Sequence, residues 1–447
     1  MSHKDPIAAI ATPAGEGAVA LIRLSGEGVF AIGDRVLDRP ISSHTGHTVH
    51  YRKLVDAMGN SIDQVLIIIM RTPRSYTGQD TLEISCHGGA LIARRILERL
   101  YEAGARPAQP GEFSLRAFLN GKIDLAQAEA VQKVIAAKGE EALKQASRQL
   151  EGKLSQKIQL LQKELIDTAA ILEASVDFPE EGLAFEERLA IEKRLKKTCL
   201  EMRRLTSTFS EGRVVEEGVS LCLLGAPNVG KSSLMNALLG YSRAIVTEIA
   251  GTTRDLLQEP FRLGGLHFRL IDTAGIRDTE EKVEQEGIRR SQEAMEKADL
   301  VLLLLDASRP MEESDWELLE KSAEKKRLVV WNKMDVGAID SSISSLAISA
   351  TEGSGLEKLQ QAIVEKVWND GALPQGEVLI TNLRHYRALV QALQSAERSL
   401  EEVRNEAFPE LIVVGVREAL QELGTILGIH ITEEILSAIF SKFCLGK

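Results

Sequence analysis

The run Val219-Ser-Leu-Cys-Leu-Leu224 leads without a break into Gly225-Ala-Pro-Asn-Val-Gly-Lys-Ser-Ser233, and a helical stretch, Leu234 to Leu239, follows. A strand that opens onto GxxxxGK[ST] at the head of a helix commits this part of the chain to an α/β domain. Further strand-like runs, Phe268 to Ile271, Leu300 to Leu305 and Leu328 to Trp331, alternate with helical patterns to about Trp368, and Pro374 marks the exit. The glycines allow backbone N–H groups to turn onto phosphate oxygens, so Asn228, Val229, Gly230, Lys231, Ser232 and Ser233 are the expected phosphate contacts. Lys231 supplies a cation for the β and γ phosphates, and the Ser232 hydroxyl is placed to ligate magnesium.

Three later segments extend this reading. Asp272-Thr273-Ala274-Gly275 follows an apolar strand, where a carboxylate can hold magnesium through water and a glycine N–H can meet the γ phosphate. Asn332-Lys333-Met334-Asp335 ends the strand Leu328 to Trp331. A carboxylate at Asp335 accepts both N–H donors of guanine's Watson–Crick edge, whereas adenine would leave a buried acceptor unpaired, at a cost of roughly 1–3 kcal/mol. Ser349-Ala350 offers a backbone N–H for the guanine oxygen, or is an ordinary strand end. The four motifs together resemble the translation-factor class of P-loop GTPases. Thr247 to Asp255, with Thr252 and Thr253, reads as a first switch loop. Ras-like GTPases place a glutamine after the DxxG glycine, but Ile276 stands there, so help for hydrolysis must come from elsewhere; the acidic run Asp278, Glu280, Glu281, Glu284 and Glu286 offers candidates or a solvated helix face.

A chain of 447 residues exceeds one hydrophobic core. Residues 1–120 mix β-rich runs (Ala18 to Leu24, Val65 to Met70, Thr81 to Ser85) with Gly and Pro turns and read as an α+β domain. Leu143, Leu150, Leu154, Leu161, Leu165 and Leu172 recur at spacings of seven and four, which predicts one long helix. Leu389, Leu393, Leu400 and Val403 share a helical face after the α/β domain. The expected fold is therefore multidomain, α/β plus all-α. An N-terminal α+β domain (1–120) precedes a helical domain in two parts (121–215 and 374–447), into which a Ras-like P-loop domain (216–373) is inserted. The net charge of −11 repels nucleic acid over most of the surface, so any RNA contact is local. The basic run Arg188, Lys193, Arg194, Lys196, Lys197, Arg203 and Arg204 fits a solvated helix face or a contact with tRNA or a partner. Cys86, Cys199, Cys222 and Cys444 form no CxxC pair, which disfavours a disulfide framework or a zinc site. Apolar runs are too short to span a membrane and no basic stretch leads an apolar core at the N-terminus, so a cytoplasmic location is expected.

The segments ATPAGEGAVALIRLSG, YTGQDTLEISCHGG, PGEFSLRAFLNGKIDLAQAEAV, GAPNVGKSS, AGTTRD, DTAGIR and the terminal FCLGK together resemble the bacterial tRNA modification GTPase family MnmE, also called TrmE, across essentially the whole chain. The resemblance implies a potassium ion held by Asn228, Thr247, Ile249 and Thr252, with Thr253 joining Ser232 on magnesium. It also implies that Glu284 positions the attacking water indirectly, and that GTP and potassium bring two GTPase domains of a homodimer face to face. The N-terminal domain would resemble the folate-binding domain of aminomethyltransferases. Arg23, Glu83, Lys122 and Lys447 would hold a reduced folate there (5-formyl- or 5,10-methylene-tetrahydrofolate), although on their own the first three read as surface ion pairs. The implied activity is modification of C5 of the wobble uridine of certain tRNAs, with an FAD- and NADH-binding partner in a heterotetramer. GEGAV at Gly15 to Val19 lacks the acidic residue of a dinucleotide site, so redox chemistry would belong to that partner. Ile435, Ile439, Phe440 and Phe443 form an apolar helical face that could dock the tail and aim Cys444 inward, where it would act as a nucleophile or support the site. Two rival readings are a ribosome-assembly GTPase without modification chemistry and a folate-dependent aminomethyltransferase with a regulatory GTPase.

Overall fold

A computed structural model of the chain describes residues 3–177, 185–242, 260–271, 292–337, 343–368, 378–444 and 446. Twelve strands form among them: β1 (Ile7–Ile10), β2 (Val19–Ser25), β3 (Thr48–Val55), β4 (Ser61–Met70), β5 (Thr81–His87), β6 (Arg106–Pro107), β7 (Val219–Leu224), β8 (Pro260–Leu263), β9 (Leu266–Ile271), β10 (Leu300–Asp306), β11 (Arg327–Asn332) and β12 (Leu346–Ala347). The chain divides by packing into two units, Met1–Ile135 with Ser147–Leu200 and Gln391–Lys447, and Ala136–Ala146 with Glu201–Val390.

The first unit contains a sheet in the order β3-β4-β5-β2-β1-β6, antiparallel except for the parallel β1–β6 pair. Alternate residues of its strands, including Ile22, Leu24, Val65, Ile67, Ile69, Leu82 and Ile84, are buried in one core. The period-two pattern turns the alternate residues to the other face, which is mixed: Arg23, Glu83 and Ser85 stand there with the exposed Val19, Val49, Tyr51 and Leu66. The expected single helix through Leu143 to Leu172 is two helices, Glu140–Leu150 and Lys153–Asp177. Gly152 lies between them at φ 82, a conformation that breaks helical geometry. Leu143 is exposed, because the leucine stripe that packs begins at Leu154 and continues through Leu161, Leu165 and Leu172. That stripe belongs to a helix that packs closely with Pro409–Leu427. After the helix Glu433–Phe440, Phe440 and Phe443 are buried with Leu125, Ala128 and Val131. Ile435 is exposed; Leu436 and Ile439 pack beside the two phenylalanines.

The second unit contains the sheet β12-β11-β10-β7-β9-β8, parallel except for the β8–β9 hairpin. The continuous apolar runs of β7 and β10 are buried on both faces, as a parallel sheet covered by helices requires. Leu221, Leu223, Leu302 and Leu304 enter one core, and Cys222, Leu224, Val301 and Leu303 the other.

His267 of β9 is buried beside the positive Lys138, Arg269 and Arg262, and burial followed by these charges lowers its pKa to about 4. The folded imidazole thus stays neutral where the unfolded one takes up a proton. The resulting stability is complete above about pH 6.5 and is lost progressively as pH falls toward 4. We expect the stability difference between the native chain and His267→Gln, measured by urea unfolding, to shift by roughly 2–3 kcal/mol against the native chain between pH 7 and pH 4.5. A difference that stays constant with pH would refute the assignment.

Candidate functional site

β7 lies at the centre of its sheet, between β9 and β10, and delivers Gly225 to the sheet's edge. The loop from Gly225 to Gly230 then turns through positive φ at Gly225 (151°), Asn228 (63°) and Gly230 (95°). Two of these positions need glycine for space as well as for torsion. A Cβ on Gly225 would lie 2.6 Å from the Leu304 carbonyl oxygen, and one on Gly230 would collide with the Asn332 amide. Asn228 is exposed and tolerates its left-handed backbone because a short polar side chain can bond locally. Lys231 opens the helix Lys231–Ser242. Its Nζ donates to the carbonyls of Gly225 at 2.7 Å and Ala226 at 2.9 Å, and burial holds its pKa below the usual lysine value. Ser232 is exposed in the first turn and Ser233 is half-buried. First-turn N–H groups, an ammonium and a hydroxyl at one helix head form an anion site able to take a phosphate with its metal.

Asn332 ends β11 and joins three loops. Its Nδ2 donates to the Val229 carbonyl at 2.8 Å, and its Oδ1 accepts the Ala350 N–H at 3.0 Å. Lys333 follows at φ 66, with its Nζ 2.5 Å from Asp306 at the end of β10. Burial alone would raise the Asp306 carboxyl; the Lys333 ammonium and the Ser308 hydroxyl and N–H more than offset it and hold it below the usual carboxylate range. Asp335 is exposed, with its carboxylate available to a ligand. Ser349 is buried; its N–H donates to Ser354 at 3.0 Å, so both N–H groups of Ser349-Ala350 have acceptors within the fold. Asp306 has no place in the motif reading. Its sequence signal is an acid that ends an apolar strand, in register with Asn332 on the neighbouring strand.

In the N-terminal sheet, Arg23 of β2 lies opposite Glu83 of β5. Their side chains pair at 2.7 Å while only 14% and 15% exposed, so this is an enclosed pair rather than a surface one. The Arg23 guanidinium also lies over the rings of Tyr76 at 5.6 Å and Phe113 at 5.7 Å. Lys122 is exposed and donates to the Pro73 carbonyl at 3.1 Å. The tail reaches the same place: the Gly446 carbonyl accepts from Arg23 Nη1 at 3.4 Å, and a Cβ on Gly446 would lie 2.9 Å from the Ala11 Cα. Cys444 is exposed rather than aimed inward. The packing of the tail is carried by Phe440 and Phe443, and the chain has left that core by Cys444.

Thr247, Ile249, Thr252, Thr253, Asp272, Thr273, Ala274, Gly275, Glu284 and Lys447 lie outside the described residues, as does the acidic run from Asp278 to Glu286. The basic helix Phe185–Ser207 has part of its charge spent within the fold: Arg194 and Lys197 face Glu164, and Arg188 donates to the Val403 carbonyl. Among the described residues no helix is long and apolar enough to cross a membrane.

The family described as MnmE helical domain matches residues 125–444, and that described as GTP-binding protein TrmE N-terminus matches residues 6–122. The tRNA modification GTPase MnmE of Protochlamydia amoebophila (strain UWE25) is 50% identical over 447 residues, which cover 99% of this chain and 98% of the relative. Proteins of the same name from Chlamydia pneumoniae and Chlorobium chlorochromatii (strain CaD3) are each 43% identical, the first over 100% of both chains and the second over 99% of this chain and 98% of its own. With a phosphate-loop geometry at the head of its helix and relatives 43–50% identical along essentially its whole length, the chain belongs to the MnmE family of tRNA modification GTPases.

Proposed function

We propose that this GTPase works with an FAD- and NADH-dependent partner protein, in a heterotetramer, to modify C5 of the wobble uridine of certain tRNAs with a one-carbon unit from a reduced folate. The observation that carries this reading is the enclosed Arg23–Glu83 pair, met by the C-terminal tail at Gly446 in a chain that also holds the guanine-nucleotide loops. A guanidinium suits the carboxylates of a folate's glutamate tail, and a carboxylate suits the donor edge of its pterin ring. The half-buried Tyr76 ring adds flat apolar surface beside the Arg23 guanidinium, and the fully buried Phe113 ring backs that guanidinium from within the core. Lys122 and Lys447 complete the proposed folate set. When bound, the folate supplies the one-carbon unit; the chain's own residues hold and orient it.

In the nucleotide site, Lys231 and the first-turn N–H groups neutralise the phosphates, and Asp335 reads the base. Ser232, with Thr253, fits a magnesium ion, since its hydroxyl is exposed at the helix head. Asn228, with Thr247, Ile249 and Thr252, is assigned to potassium. Its exposed amide stands in the loop that would face the phosphates, where a monovalent cation stabilises developing charge. Glu284 is assigned to the attacking water. The proposed homodimer is supported by Val19, Val49, Tyr51 and Leu66, apolar side chains exposed on the N-terminal sheet. The strand register places them on the same sheet face as the Arg23–Glu83 pair. Of these, Tyr51 and Leu66 are direct cross-strand neighbours, and exposed apolar groups gathered on one sheet face mark an interaction surface.

Three measurements test the proposal. GTP hydrolysis should run at least about tenfold faster in potassium than in sodium, and Asn228→Gly, which keeps the positive φ accessible, should abolish the difference; equal rates in both salts would defeat the cation assignment. Glu83→Ala should weaken 5-formyl-tetrahydrofolate binding by about tenfold or more in calorimetry with GTP affinity unchanged, since it also leaves the Arg23 guanidinium unpaired; unaltered folate uptake would remove Glu83 from the site. Finally, Cys444→Ser should preserve GTP hydrolysis but fail to restore wobble-uridine modification in a deletion strain, read by mass spectrometry of tRNA nucleosides. Full restoration would show the thiol to be dispensable, and normal modification in the deletion strain itself would end the tRNA reading.

A further inference from the structure

Asp306 is buried, charged and outside every nucleotide motif of the sequence, yet it touches the guanine-reading segment directly. It ends β10 at the position paired with Asn332 on β11, so the two strands release their loops side by side. One carboxylate oxygen of Asp306 accepts the Ser308 N–H at 2.9 Å and the Ser308 hydroxyl at 2.5 Å. The other meets Lys333 Nζ at 2.5 Å. The carboxylate is therefore oriented on one side before it binds the ammonium on the other. The two loops also touch through backbone: Ala307 N–H donates to the Asn332 carbonyl at 2.9 Å, and a Cβ on Gly337 would collide with the Ala307 carbonyl.

The segment that Lys333 opens needs such an anchor. Lys333 sits at φ 66, a conformation that an ordinary side chain adopts only when its surroundings hold it there. Within the turn, Met334 N–H donates to the Ile348 carbonyl and Val336 N–H to the Lys333 carbonyl, both at 3.1 Å. Asp335 lies between these bonds, exposed, and its position follows from the turn. We propose that Asp306 is a positioning residue for base recognition: by fixing the Lys333 ammonium it sets where the Asp335 carboxylate meets guanine. This rests on the reading of Asp335 as the guanine acceptor, and it adds to that reading a determinant of specificity on a different strand.

The test compares GDP with inosine diphosphate, which lacks the 2-amino group and so forms one fewer hydrogen bond with Asp335. Affinities of the full-length protein for both nucleotides are measured by calorimetry, alongside kcat and KM for GTP. In Asp306→Asn the preference for GDP over inosine diphosphate should fall by about fivefold, as expected when a charge-assisted hydrogen bond is misaligned, with KM raised and kcat at saturating GTP nearly unchanged. Ser308→Ala, at an exposed position where folding is not at stake, should lower the preference by a smaller factor of about two, because it frees one side of the carboxylate. If both variants bind the two nucleotides more weakly but with the native preference, Asp306 serves the fold alone and the proposal is overturned. If the native protein shows no preference for GDP, the guanine assignment of Asp335 falls first and takes this proposal with it.

Discussion

The Asn332 side chain ties together backbone groups that lie far apart in sequence, the Val229 carbonyl in the phosphate loop and the Ala350 N–H after β12. One amide thereby fixes the distance between the Gly225–Gly230 loop and the loops that follow β11 and β12. Both bonds are well inside hydrogen-bonding range, and the one to the Val229 carbonyl is buried, so that carbonyl depends on the Asn332 amide for its partner. The constraint reaches back into the loop: Gly230 must lack a side chain because the Asn332 amide occupies that space. Lys231 closes the arrangement by bonding two carbonyls of the same loop. The nucleotide site is in this sense pre-organised by the ends of parallel strands, which is the usual position of ligands in open α/β sheets.

A comparable role falls to cross-strand opposition in the N-terminal sheet. Arg23 and Glu83 face each other because the β2–β5 register puts them there, and nothing nearer in sequence could do so. Their pairing leaves two opposite charges in an enclosed setting, flanked by aromatic rings, with the tail carbonyl of Gly446 as a further acceptor. Such a pair contributes little net stability against its desolvation cost, but it holds two charged groups in defined positions.

What was legible in the sequence follows from how local each signal is. β7 coincides with the expected strand Val219 to Leu224, and β10 extends the expected Leu300 to Leu305 by a single residue, because fully buried parallel strands are plain apolar runs. That one extra residue is Asp306. Its contact with Lys333 depends on the register between two strands, which no motif records. β3 carries no such signal: in Thr48–Val55, at a sheet edge, half-buried and exposed positions alternate and only Leu54 is buried, with His50, Arg52 and Lys53 diluting the apolar content. The leucine spacing that suggested one long helix was real on both sides of Gly152, and the glycine was the signal that should have divided it. Cys444 shows the limit of extending a helical face into a terminus, since the apolar pattern ends at Phe443 and the next side chain is exposed.

The ionic network of the N-terminal domain, half of it buried, bears on the geometry of Arg23 in the same way. Arg116 is fully buried and bonds Asp5 and Glu112, while Arg106 bonds both acids from the other side. Burial alone would raise the Glu112 carboxyl, but Arg106, the Gln109 N–H and Arg116 hold it below the usual carboxylate range, so the group stays ionised and all four charges persist together. Removing Glu112 or Arg116, the two buried members, would strand its partner, a loss of roughly 3–5 kcal/mol, whereas Asp5 and Arg106 are about a third exposed and stay within reach of water. An apolar replacement of a buried pair is often neutral. Stability alone therefore does not account for the network. Glu112 and Arg116 lie on the helix Glu112–Leu119, which also carries Phe113, and the Phe113 ring lies beneath the Arg23 guanidinium. The same helix bonds the Tyr76 hydroxyl through Ser114 at 2.8 Å, and the Tyr76 ring is the other aromatic neighbour of that guanidinium. By fixing one short helix, the four charges fix both rings that orient Arg23, and through Arg23 they fix the acid opposite it.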